Sequence, residues 1–137
     1  NCSVLGEDAV PGTPEFKLFI KEVRKEMTVK CGQKCTAIRR VIVPEHLVED
    51  VQIALGKELG RVAIGNPTTE GVRMGALASK AQVEEVKERV AELTETAEIV
   101  YGSLDKIDVL GADFDKGAFL SPILLLEKSF IIYQNKL

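Results

Sequence analysis

The chain has 137 residues, of which 45% are hydrophobic and 28% are charged, and its net charge is -3. This length and composition are typical of one soluble domain with a core of its own. The slightly acidic balance gives no basic surface for nucleic acid, and no apolar run reaches the roughly 18 residues that span a bilayer. We therefore expect neither nucleic acid nor membrane as a partner.

The chain contains three cysteines, an odd number, and its first residues lack the basic and apolar regions of a secretory signal. A disulfide framework is not expected, and the free thiols indicate a reducing, cytoplasmic compartment. Cys31 and Cys35 are spaced C-x3-C, a spacing that metal sites can use. Since Cys2 and His46 form no second ligand pair, no metal site is predicted.

The first half of the chain predicts two strands and two helices. Residues 3–5 are apolar and predict the end of a strand. Thr13 is a candidate N-cap, Pro14 suits the first helical position, and Gly32 is the expected stop. The apolar stripe of this first helix is Phe16, Phe19, Ile20, Val23 and Met27. Residues 38–43 predict a buried strand, and Pro44 opens a second helix. The apolar positions of the second helix are Leu47, Val48, Val51, Leu55 and Leu59.

The second half predicts one more helix and two more strands. Ser79 and Gln82 match a capping box, in which the glutamine side chain reaches back to the Ser79 backbone. The apolar face that follows is Val83, Val86, Val90 and Leu93. Residues 98–102 predict a strand, residues 103–117 a loop, and residues 119–126 a fully buried strand. Strands that alternate with helices favour an α/β fold with a parallel sheet.

Chemistry is suggested by Cys35, which lies in the break between the first helix and the following strand. Thiolates are stabilised by nearby cations, and Lys34, Arg39 and Arg40 are its neighbours in sequence. Backbone N–H groups freed by the break can stabilise an oxyanion. The spacing alone leaves open a nucleophile or a packed cysteine in a non-catalytic structural or binding module. A third reading, acyl transfer by Cys35 with His46 as base, requires the two side chains within hydrogen-bond reach.

Several segments resemble the aldehyde dehydrogenase superfamily, in order and at compatible spacings. Residues 32–37, Gly-Gln-Lys-Cys-Thr-Ala, with Arg40 following, resemble its active-site signature. Residues 65–67, Gly-Asn-Pro, are similar to its Gly-Asp-Pro turn, and residues 74–79 to its Met-Gly-Pro-Leu-Ile-Ser segment. Residues 117–124 resemble its Gly-x-Phe and Pro-Thr strand. The resemblance covers residues 1–126 and leaves residues 127–137 as a divergent C-terminal tail.

The resemblance implies an α/β three-layer parallel-sheet catalytic domain, present as a fragment. The family's general-base glutamate, its upstream oxyanion-hole asparagine and its cofactor-binding domain have no counterpart in these residues. We also expect the chain to form a homo-oligomer, because the exposed edges of a fragment favour self-association. We expect the chain on its own to have no dehydrogenase activity.

Carried over by position, Cys35 would attack an aldehyde to give a thiohemiacetal, which passes a hydride to NAD or NADP before hydrolysis. The Cys35 N–H would supply half of the oxyanion hole, and Gln82 aligns with a glutamine near the cofactor. Residues 27–40 most resemble the aldehyde dehydrogenase part of bifunctional PaaZ-type phenylacetate-degradation proteins, and a related benzoyl-CoA pathway dehydrogenase has a similar motif. That resemblance implies a semialdehyde attached to a coenzyme A (CoA) thioester, in aromatic catabolism.

Overall fold

The structure is a computed structural model that describes residues 1–127. Its strands and helices, in chain order, are β1 (Cys2–Val4), α1 (Pro14–Thr28), β2 (Arg40–Ile42), α2 (Val48–Leu59), α3 (Lys80–Leu93), β3 (Ala97–Tyr101) and β4 (Leu124–Glu127). A short turn with non-helical backbone covers Val29–Gly32, and a 3-10 turn covers Glu45–Leu47. The predicted α/β class is confirmed. Apart from Glu127, the predicted tail lies outside the described residues.

The four strands form two separate two-stranded sheets. β1 and β2 are parallel, with α1 as the crossover between them, so the predicted parallel pairing holds here. β3 and β4 are antiparallel, and the expectation of one wholly parallel sheet is wrong for this pair. The connection between β3 and β4 contains no helix in the described structure. An antiparallel pair needs no crossover helix, which explains the difference.

The main core lies between α1, α2 and the β1–β2 sheet. It contains Leu5, Phe16, Phe19, Ile20, Val23, Leu47, Val51 and Leu55, as the apolar stripes of both helices predicted. Thr13 caps α1 by accepting a hydrogen bond from the Phe16 N–H at 3.2 Å. This core fixes the end of α1 and the start of β2, which are the two elements on either side of Cys35.

Three predicted burial assignments are wrong. β2 alternates between exposed and half-buried residues, because α1 and α2 cover one face of a two-stranded sheet. β4 is half-buried along its length, and Leu93 is exposed at the last position of α3. Among residues 1–127, no helix has the length and apolar character to cross a membrane.

Candidate functional site

Cys35 lies in a hydrogen-bonded turn between α1 and β2. The Ala37 N–H donates to the Lys34 carbonyl at 3.2 Å, and we call residues 34–37 the nucleophile turn. Ala37 is only 1% exposed, whereas Cys35 is exposed. A buried anchor therefore presents an exposed thiol, and the packed-cysteine reading of Cys35 is wrong.

Asn1 fixes the carbonyl side of the nucleophile turn. Its Nδ2 donates to the Cys35 carbonyl at 2.6 Å and to the Ala37 carbonyl at 3.3 Å. Its own carbonyl accepts from the Arg39 N–H at 3.0 Å, which ties it to the start of β2. In the described part of the chain, the Cys35 N–H donates no hydrogen bond. An unpaired N–H beside an exposed thiol is the arrangement that stabilises an oxyanion formed on an attacked carbonyl.

The neighbouring cations have partners other than the Cys35 thiol. Lys34 Nζ pairs with Glu26 Oε1 at 2.6 Å, and both side chains are largely buried. Arg39 Nη1 donates to the Gly32 carbonyl at 3.0 Å. The hydrogen bonds of these two cations therefore go to Glu26 and Gly32 and not to the Cys35 thiol. Their charges stabilise the chain on either side of it.

The segment before the nucleophile turn is left-handed. α1 ends at Thr28, not at the predicted Gly32. Lys30, Cys31 and Gly32 have φ values of 51°, 55° and 69°. Such a backbone costs about 1–2 kcal/mol at a residue with a Cβ, because the Cβ crowds the following carbonyl oxygen. We call residues 30–32 the left-handed segment.

Cys31 is half-buried and packs against a distant loop. Its Sγ lies 3.1 Å from the Gly75 carbonyl oxygen and 3.2 Å from that of Ala76. Burial raises the pKa of the Cys31 thiol. Cys31 is therefore a protonated hydrogen-bond donor, which the sequence, having assigned it no role, did not reveal.

Gln33 makes a second attachment to the same loop. Its Oε1 accepts the Ala78 N–H at 3.0 Å, and its Nε2 donates to the Lys30 carbonyl at 3.2 Å. A shallow cleft of about 540 Å³ lies between the left-handed segment and this loop. Cys31 and Gln33 line that cleft, whereas Cys35 does not. The partners are about 45 residues apart in sequence, so no local pattern predicts these contacts.

His46 and Cys35 are not brought together. Cys35 precedes β2, His46 follows it on the 3-10 turn, and within residues 1–127 no hydrogen bond joins the two side chains. The described structure therefore gives no support to acyl transfer by this pair. All three cysteines are free, and the described residues contain no group of three side chains placed to hold a metal ion.

Gln82 lies in the first turn of α3. Its N–H donates to Ser79 Oγ at 3.2 Å, which confirms Ser79 as the N-cap. The reciprocal half of the capping box is absent here, because Gln82 Nε2 donates to Glu85 Oε2 at 2.9 Å instead. The donor of the Gln82 amide is therefore already used within α3. With no glycine-rich phosphate loop either, residues 1–127 do not by themselves fit NAD or NADP.

The order of these features along the chain is that of a known family. The model of the aldehyde dehydrogenase family matches residues 10–134, and the chain belongs to this family. It is 46% identical over 125 residues to the 3,4-dehydroadipyl-CoA semialdehyde dehydrogenase of Aromatoleum evansii, covering 91% of this chain and 24% of that protein. It is 34% identical over 103 residues to a putative aldehyde dehydrogenase of Staphylococcus epidermidis, covering 74% and 21%.

Solved structures show the same fold. An aldehyde dehydrogenase from Bacillus cereus superposes with a TM-score of 0.76 at 25% identity, covering 91% of this chain and 23% of that one. A betaine aldehyde dehydrogenase from Staphylococcus aureus in complex with NAD+ superposes with a TM-score of 0.75 at 21% identity, with the same coverage. The chain thus spans about a quarter of the length of the relatives it matches.

Proposed function

We propose that this chain carries the nucleophile, Cys35, of an NAD(P)-dependent aldehyde dehydrogenase. The observation that supports this is the exposed thiol beside a backbone N–H that has no partner among the described residues, in a turn held by Asn1 and Ala37. Membership of the family supports the reaction class. Because the chain covers about a quarter of its relatives, the proposal concerns the complete enzyme to which such a segment belongs.

The step that this chain performs is formation of the thiohemiacetal. The Cys35 thiolate adds to the aldehyde carbon, a C–S bond forms, and the carbonyl oxygen becomes an oxyanion. The Cys35 N–H donates to that oxyanion, while Asn1 holds the peptide by its carbonyl. NAD or NADP supplies the hydride acceptor in the complete enzyme, and Gln82 remains a predicted contact to it.

We propose a semialdehyde attached to a CoA thioester, from aromatic-acid degradation, as the substrate. The 46% identity to a CoA-semialdehyde dehydrogenase supports this class. We also propose a homo-oligomer in the cytoplasm, and the three free thiols suit a reducing compartment.

Protection of Cys35 by an aldehyde tests the nucleophile. We expect a CoA-linked semialdehyde to slow iodoacetamide modification of Cys35, because a thiohemiacetal masks the thiol. Peptide mass spectrometry measures the rate at each cysteine, and Cys2, exposed on β1, serves as the internal control. Equal rates at Cys35 with and without aldehyde would contradict the proposal. A simple aliphatic aldehyde that protects as well at equal concentration would contradict the CoA-linked class alone.

Turnover gives the complementary measurement. We expect the 137-residue chain, supplied with NADP and the same semialdehyde, to form no reduced cofactor, because residues 1–127 do not fit a dinucleotide. Absorbance at the wavelength of the reduced nicotinamide detects the product. Turnover by the pure chain would contradict this expectation.

A further inference from the structure

The left-handed segment directly precedes the nucleophile turn and carries backbone strain. Lys30 and Cys31 both have a Cβ, and both adopt the conformation that glycine accepts freely. Residues in such conformations persist where surrounding contacts hold them. The contacts that hold this segment come from residues 75–78, which lead into α3, and from Arg39, which donates to the Gly32 carbonyl.

The Cys31 thiol is one of those contacts. It has a single hydrogen, and its Sγ lies 3.1 and 3.2 Å from two carbonyl oxygens. The two distances are nearly equal, so the thiol can donate to either oxygen. A thiolate at this position would be repelled by both oxygens. Burial, which raises the pKa of this thiol, keeps the donor in place.

Gln33 extends the attachment to the next residue of the turn. Its bond from the Ala78 N–H and its bond to the Lys30 carbonyl join the loop, the left-handed segment and the residue before Lys34. The Lys34–Glu26 ion pair then fixes the start of the nucleophile turn on α1. A continuous set of contacts thus runs from residues 75–78 to Cys35.

We propose that Cys31 is a positioning residue for Cys35. Its S–H holds the left-handed segment against the Gly75 and Ala76 carbonyls, and this sets the direction in which the nucleophile turn presents the Cys35 thiol and N–H. The inference rests on the proposed function of Cys35. It assigns no bond-making step to Cys31.

The test compares how the alkylation rate of Cys35 depends on pH in the 137-residue wild-type chain and in four variants of it. Cys31→Ala removes the donor, Cys31→Ser keeps a donor, and Cys2→Ala makes the same chemical change at an exposed site. Cys31→Gly is a second donor-free variant that adopts this φ without strain, in case the alanine variant does not fold. A synthetic peptide of residues 28–40, with serine at position 31, gives the profile of Cys35 without the fold.

We expect the alkylation rates of Cys35 in the wild type to differ from those of the peptide, because the fold determines how iodoacetamide reaches the thiol. The donor-free variants should move toward the peptide profile, with a change of about threefold to tenfold in rate, which is the population shift that one hydrogen bond sustains. Cys31→Ser and Cys2→Ala should stay near the wild type, with folding checked by circular dichroism.

The two ways to fail are distinct. A wild-type profile that coincides with the peptide profile overturns the proposed function of Cys35. A distinct wild-type profile that the donor-free variants leave unchanged overturns the role of Cys31 alone. Loss of the wild-type profile in Cys31→Ser also overturns it, because serine retains the donor.

Discussion

The left-handed segment and the nucleophile turn each carry a cysteine, and they use it in opposite ways. Cys31 is half-buried, and its thiol faces two carbonyl oxygens. Cys35 is exposed, and its N–H has no partner within residues 1–127. The difference teaches that four residues of separation suffice to make one thiol a structural donor and the other an accessible group. The backbone between the two cysteines determines which one is half-buried and which one is exposed.

Selective alkylation tests this contrast directly, and we expect the largest effect there. In the native chain at pH 7, iodoacetamide should modify Cys35 about tenfold to a hundredfold faster than Cys31, because burial and a raised pKa both suppress the Cys31 thiolate. Peptide mass spectrometry over time gives both rates in one sample. In urea the two rates should converge, and comparable rates in the native chain would show that the contrast is wrong.

The Lys34–Glu26 ion pair defines how the nucleophile turn is attached to α1. We expect Glu26→Gln to lower the free energy of unfolding by about 1–1.5 kcal/mol, between the values of exposed and buried pairs, because Lys34 loses its partner. Urea denaturation measures the change. The matched control is Glu22→Gln, which breaks an exposed pair with Lys25 on the same helix. Its expected cost is at most about 0.5 kcal/mol, and equal costs would contradict the special role of Glu26.

The local elements could be predicted from the sequence. Thr13 and Pro14 start α1, Ser79 starts α3, and the apolar stripes of α1 and α2 meet in the core. Caps and periodicity act over three or four residues, so the sequence contains the whole signal. The position of Cys35 in a break between a helix and a strand follows from the same local rules.

The contacts that define the candidate site could not be predicted in this way. Asn1 reaches Cys35 across 34 residues, and Cys31 reaches Ala76 across 45. The left-handed backbone at Lys30 and Cys31 also has no sequence signal, since neither is glycine or asparagine. The antiparallel pairing of β3 and β4 could not be predicted either, because a connection without a helix does not by itself determine whether two strands run parallel or antiparallel.

Gln33 lies between the left-handed segment and the nucleophile turn, and removal of its side chain should destabilise both. We expect Gln33→Ala to lower the free energy of unfolding by about 1 kcal/mol and to speed hydrogen exchange at the Ala78 amide, which loses its acceptor. Nuclear magnetic resonance measures the exchange. Gln33→Glu keeps that acceptor and should preserve the protection of Ala78. The control Gln82→Ala removes an exposed amide from α3 and should change stability by less than about 0.5 kcal/mol.

The smallest effect concerns stability at alkaline pH and isolates the ionisation of Cys31. Burial raises the pKa of this thiol in the folded chain, so below its ordinary value both states are protonated and its stabilising contribution is complete. As pH rises above the ordinary pKa of a thiol, the unfolded state releases its proton first. The stabilising contribution is then lost as pH rises through the pKa of the folded chain. Tyr101, whose pKa burial also raises, acts in the same direction.

The informative quantity is therefore the difference between the wild type and Cys31→Ser, which has no ionisable group at position 31. We expect the wild type to lose more stability than this variant between pH 8 and pH 10, in urea denaturation series. Cys2→Ser should behave as the wild type does, because Cys2 is exposed in the folded chain. Parallel curves for the wild type and Cys31→Ser would mean that burial does not raise the pKa of Cys31, and the contrast between the two segments would not survive.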